Sequence, residues 1–164
     1  INKVQIIDNT NFSIIDDIFY QNTSKEIHAI KYIGDIDKKE ITVNATKMSN
    51  DTIRIFSNCF AGTNIEKINT IEDSDHMVYF RRNSLYNMKN LKEINLHYMF
   101  NSYRYMDIYN NTGAPNNINL NIITTPYTVY NVISESKKLT SFNEIKIGCY
   151  FDETGKIIND NEDK

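Results

Sequence analysis

One apolar spacing occurs twice in this chain, and it limits the available folds more than any other feature. The first copy is Leu91-x-x-Ile94-x-Leu96-x-x-Met99-Phe100, and the second, 51 residues on, is Phe142-x-x-Ile145-x-Ile147-x-x-Tyr150-Phe151. Glu93 and Glu144 also match, each just before the isoleucine. Two further anchors fall in step: Ile65-x-x-Ile68-x-Thr70 precedes Leu91, and Asn117-x-x-Leu120-x-Ile122 follows it, each at about half that distance. A period of about 25 residues means stacked units, because a short strand cannot bury its apolar face alone and must share a core with its neighbours. The i, i+3, i+5 spacing fits a turn entering a short strand whose inward positions alternate.

Between the anchors, Phe56–Thr63, Ser84–Asn90 and Val132–Leu139 read as return arms, each a helical or 3₁₀ turn with one inward side. The sequence thus predicts an α/β repeat, a solenoid of about four or five coils with short parallel strands on one face and helical or irregular arms on the other. Ile27-x-x-Ile30-x-Tyr32 reads as the first repeat. Its distance from Ile65 is well over one period, which implies an irregular coil or an insertion. Ile41–Val43 and Ile53–Ile55 read as short strands, Lys47–Asp51 as a turn, and Asn101–Asn117 and Glu72–Asn83 as irregular connections. Ahead of the repeats, Val4–Ile7 suggests a strand, and Ile14, Ile15, Ile18 and Phe19 after Ser13 suggest a short capped helix. The division expected is an N-terminal cap over 1–26, a solenoid over 27–151 and a tail over 152–164.

At these residues the chain resembles the BspA-like leucine-rich-repeat family, whose repeats pair an aromatic turn, often Ala-Phe-x-x-Cys, with Leu-x-x-Ile-x-Ile. Asn58-Cys59-Phe60-Ala61-Gly62-Thr63-Asn64-Ile65 and Met88-Lys89-Asn90-Leu91-Lys92-Glu93-Ile94 carry the likeness. It covers 53–100 well and 117–151 weakly, and it departs from the family in lacking the usual Pro and in using Ile for Leu. The resemblance implies a bacterial cell-surface, extracellular or phage-particle setting and roles in adhesion or receptor binding.

Composition narrows the function further. A net charge of −3 and no long basic stripe oppose nucleic-acid binding. Arg81-Arg82 reads as part of a solvated loop rather than a polyanion site. No apolar run is long enough to cross a membrane, and Ile1 opens the sequence without Met, so localisation is not read from the N-terminus. Cys59 and Cys149 sit in apolar surroundings and read as free buried thiols. His28, His76 and His97 lack ligand spacing, and Asp73 and Asp75 lack the other oxygens a calcium loop needs; neither a metal nor a cofactor is expected. There is no nucleophile elbow and no glycine-rich phosphate loop, so the chain reads as no enzyme. The Asn excess reads as coding bias.

Tyr98, Tyr103, Tyr105 and Tyr109 crowd one connection, and Tyr127 and Tyr130 lie at the equivalent place after the next anchor. Tyrosine joins contact area to a polar tip, so these six are the candidate ligand-binding residues, for a protein or a glycan on a partner surface. The expected function is a non-enzymatic binding module. The alternative is a structural spacer or assembly domain within a larger surface or phage tail protein, and an enzyme with unrecognised residues is a third reading. Oligomeric state is left open.

Overall fold

The computed structural model describes residues 5–6, 11–44, 52–70, 77–97, 112–116, 118–124 and 142–149. Within them lie ten strands and no helix: β1 (Phe12–Ile15), β2 (Ile18–Asn22), β3 (Ile27–Tyr32), β4 (Glu40–Val43), β5 (Thr52–Ile55), β6 (Lys67–Thr70), β7 (Met77–Phe80), β8 (Glu93–His97), β9 (Ile118–Thr124) and β10 (Phe142–Cys149). They form two five-stranded sheets, ordered β1-β2-β3-β5-β7 and β10-β9-β8-β6-β4. From β3 to β8 the chain alternates between the sheets, one strand in each, and then adds β9 and β10 to the second.

The second sheet is parallel throughout, and its register is the one the anchors predict. Ile41 lies beside Ile68, Ile68 beside Ile94, Ile94 beside Leu120 and Leu120 beside Ile145. Isoleucine suits this place, since a β-branched side chain packs well on a pleated, half-buried surface. In β4, β5 and β6 the buried residues alternate with partly exposed ones, and Ile41, Val43, Ile53, Ile55 and Ile68 are all buried. Inward residues of both sheets join one apolar cluster, with Phe60, Leu85 and Met88 from the connecting turns.

Several expectations change. The first sheet holds a second periodic series that the spacing of the anchors did not reveal: Ile27 pairs with Ile53, and Ile53 with Val78. Ile27 therefore belongs to this series and not to the anchors, and no insertion is needed. The missing anchor is Lys38-x-x-Ile41-x-Val43, whose first position is charged; Lys39 O receives the Glu66 amide as Glu66 O receives that of Lys92. Likewise, 77–80 within the expected irregular stretch 72–83 is strand β7.

The arms at 56–63 and 84–90 are turns rather than helices, so the α/β expectation becomes an all-strand one among the described residues, while the arm expected at 132–139 lies outside them. Amides of Cys59, Ala61 and Thr63 reach back three residues to Phe56, Asn58 and Phe60, and those of Ser84, Tyr86 and Leu91 do the same in the next connection. Asn58, Gly62, Asn83 and Asn87 have φ of 60°, 79°, 57° and 59°, left-handed breaks that stop a helix from propagating. The inward side of the arms is as expected, with Leu85 and Met88 fully buried.

At the N-terminus a hairpin replaces the predicted helix. Asp16 and Asp17 both take positive φ, 49° and 64°, the geometry of a two-residue hairpin turn that matches strand twist. β1 and β2 then pair antiparallel, with Phe12 and Phe19 stacked at 5.4 Å. An acidic pair after Ser13 suits a helix start as well as it suits this turn, which is why the pattern misled. The hairpin lies along β3, where one extra residue, Ile30, bulges so that Ala29 and Tyr32 both point inward. Gly34 meets the hairpin turn so closely that a Cβ there would lie 2.5 Å from Asp17 Cβ. Of the expected strand at 4–7 only residues 5–6 are described, and they belong to no strand; the turn expected at 47–51 lies outside the described residues.

Candidate binding face

The outward side chains of the two sheets differ. Equivalent positions in stacked parallel strands sit about 4.8 Å apart, so each outward column is a row of forced neighbours. On the second sheet these columns compensate themselves. Glu66 lies between Lys39 at 3.4 Å and Lys92 at 2.5 Å, and Lys67 lies between Glu40 at 3.9 Å and Glu93 at 3.4 Å. Hydrogen bonds from Lys92 and Lys39 hold the Glu66 carboxyl below its ordinary pKa.

Beside the charges runs a ladder of amides. Asn121 Nδ2 donates to Asn95 Oδ1 at 2.7 Å, Asn95 Nδ2 to Asn69 Oδ1 at 2.8 Å, and Asn69 Nδ2 to the Glu40 carboxylate at 2.6 Å. A shorter ladder at the corner joins Asn90 to Asn64 at 2.8 Å and Asn64 to Asp37 at 2.6 Å. An amide can both donate and accept along a column, which no ion can do with its own kind. The asparagines that composition assigned to coding bias therefore hold specific positions in this sheet.

The first sheet presents something else. His28, Arg54 and Tyr79 share one row across β3, β5 and β7. The Arg54 guanidinium lies 4.8 Å over the Tyr79 ring, while its Nε donates to Glu26 Oε2. Glu26 Oε1 meets His28 Nε2 at 2.6 Å. Burial alone would raise the Glu26 carboxyl, but the hydrogen bonds from Arg54 and His28 outweigh it and hold the group below its ordinary pKa. Two residues further along, Phe56 is flanked by the His28 ring at 4.5 Å and the Arg81 guanidinium at 4.7 Å. Lys31 Nζ donates to Asn58 O at 2.9 Å, and Ser57 Oγ to Arg82 O at 2.7 Å.

Across 26–31, 54–58 and 79–82 the charges are Lys31, Arg54, Arg81 and Arg82 against Glu26 alone. This face is cationic on a chain of net charge −3. Arg81 and Arg82, expected in a solvated loop, follow β7 directly and are exposed. Among the described residues no carboxylate pairs with Arg81.

Tyr98, Tyr103, Tyr105, Tyr109, Tyr127 and Tyr130 lie outside the described residues, so the expected tyrosine surface is neither assembled nor dispersed. Sequence reasoning missed the Glu26–His28–Arg54–Tyr79 row because His28, Arg54 and Tyr79 stand a full period apart along the chain and only the second periodic series brings them together. Among the described residues no group of three His, Cys, Asp or Glu side chains is placed to hold a metal ion. Cys59 is a buried free thiol, as expected, whereas the side chain of Cys149 is not described. A surface depression of about 240 Å³ lies at the corner beside the short ladder, lined by Gly62, Thr63, Asn64, Asn87, Lys89 and Asn90. Compared with protein-family models, curated proteins and solved structures, the chain matches none.

Proposed function

We propose that the chain is a non-catalytic binding module built on a repeat solenoid, in which the coils from β3 to β8 each contribute one strand to each sheet. The alternation of β3 to β8 between the sheets, at a nearly constant period, supports the solenoid. The resemblance to BspA-like repeats fits the parallel second sheet, while a second sheet in place of helical arms departs from it. A surface or particle-associated setting and a protein or glycan partner follow from that resemblance.

The observation that carries the binding reading is the contrast between the two outward faces. The second sheet's charges are spent on one another, whereas the first sheet offers guanidinium groups stacked on aromatic rings. Stacking fixes such groups before a ligand arrives, so less ordering entropy opposes binding. A spacer or assembly role is the second reading, favoured by the amide ladder that runs along the stacking direction.

Titrating the isotopically labelled chain with a panel of glycans and surface proteins, and mapping the NMR shifts, separates the two. A binding module gives saturable shifts clustered on 26–31, 54–58 and 79–82, or on the connection holding Tyr98, Tyr103, Tyr105 and Tyr109. A spacer gives none with any member of the panel.

A further inference from the structure

The geometry points to an oxyanion-binding site centred on Arg81, which takes the sulfate or carboxylate groups of an acidic polysaccharide across the outward face of the first sheet. This rests on the binding-module reading and adds to it the ligand's chemistry and the residue that would grip it. Arg81 is exposed, its guanidinium lies 4.7 Å over Phe56, and Phe56 is in turn backed by His28 at 4.5 Å. A guanidinium carries its donors in its own plane, in a fork that matches two oxygens of a carboxylate or sulfate. Held over a ring face, it keeps that edge open.

Arg54 does not compete for this role, because it already donates to Glu26. The same pairing neutralises the only carboxylate on the patch and leaves Arg81, Arg82 and Lys31 as its remaining charges. The Ser57 hydroxyl fixes the Arg82 backbone, and Lys31 braces the carbonyl of Asn58, so the corner carrying these cations is tied across two periods.

Two arguments choose a polysaccharide over an acidic protein. A protein interface needs a desolvated apolar centre, and the exposed large apolar residues among those described are Ile14, Ile36 and Tyr86, none of them within 26–31, 54–58 or 79–82; Ile14 lies on β1, at the opposite edge of the first sheet from β7. A polyanionic sugar needs none of that: its groups repeat along a flexible chain and are met well by a flat cationic strip.

The test uses the full chain, a sulfated hexasaccharide, the same sugar desulfated, and a polyglutamate peptide of equal charge. The sulfated sugar is expected to bind, more weakly as salt is added, and the desulfated sugar to bind at least tenfold more weakly. Arg81→Ala is expected to lose at least tenfold in affinity with an unchanged thermal melt, and Arg81→Lys to recover only part, since a point charge replaces the fork. Lys92→Ala, on the other sheet, is expected to bind like the parent. Equal binding by Arg81→Ala, or tighter binding of polyglutamate, overturns the proposal. Should the desulfated sugar or a protein bind with Arg81→Ala unaffected, the oxyanion site falls and the binding module stands. Should nothing in either panel bind, both fall.

Discussion

At the scale of single residues, the backbone explains choices that composition left unexplained. Gly62, Asn87 and Gly113 succeed one another at intervals of one period, and all have positive φ. The corner between the sheets thus takes a left-handed residue in three successive periods, a conformation that Gly adopts freely and Asn more readily than most residues. Cys59 faces the opposite constraint. Burial pushes its thiol up to about 12 from the usual 9.0, because an ionised sulfur has no solvation in the core. Tyr20 and Tyr32 are shifted upward as well, by burial in each case. For these acids the unfolded chain releases protons first. The stability they contribute is complete below about pH 9 and is lost as the pH rises toward 12, where the unfolded thiol is ionised and the folded one is still protonated. Denaturant midpoints measured from pH 7 upward should fall beyond about pH 9. Replacing Cys59 with Ala should flatten part of that fall, and a thiol reagent should leave Cys59 unmodified until the chain unfolds.

At the scale of elements, the legible part was the second sheet. Its anchors were readable because Ile68, Ile94, Leu120 and Ile145 recur at one place in each period, and the same constancy sets their register. The first sheet escaped notice for a physical reason: Val78 and Phe80 follow the acidic run Glu72-Asp73-Ser74-Asp75, so a strand of four residues looked like the end of a loop. The hairpin was missed because Asp16 and Asp17 serve a left-handed turn as readily as a helix start. The face around Arg81 was hidden because its residues are joined by stacking and not by sequence. The amide ladder was also concealed, since an asparagine excess carries no periodic apolar signature. Its middle rung, Asn95, donates to Asn69 and Glu93 and accepts from Asn121, while Asn90 makes one exposed link. Asn95→Ala should cost about 1–3 kcal/mol in a denaturation experiment, because it strips partners from half-buried amides on both sides. Asn90→Ala should stay within about 0.5 kcal/mol.

At the scale of the whole molecule, two sheets share one core because the chain crosses between them from β3 to β8, and the crossings from β5 to β6 and from β7 to β8 turn at Asn or Gly residues of positive φ. The antiparallel hairpin lies along the β3 edge of the first sheet, so stacking there meets strands already paired with each other. Alternating charges along the columns favour one register over its neighbours, since a slip of one period would set like charges side by side. Individually such exposed pairs contribute little to stability, and their effect lies in excluding alternatives. The scaffold is what any binding face depends on, so it carries the central claim. Methyl-labelled NMR tests it most directly. An unbroken chain of contacts from Ile41 to Ile68, Ile94, Leu120 and Ile145, with a separate chain from Ile27 to Ile53 and Val78, is the predicted result. Contacts joining Ile27 directly to Ile65 or Ile68 as one continuous series, or the absence of either chain, would contradict it.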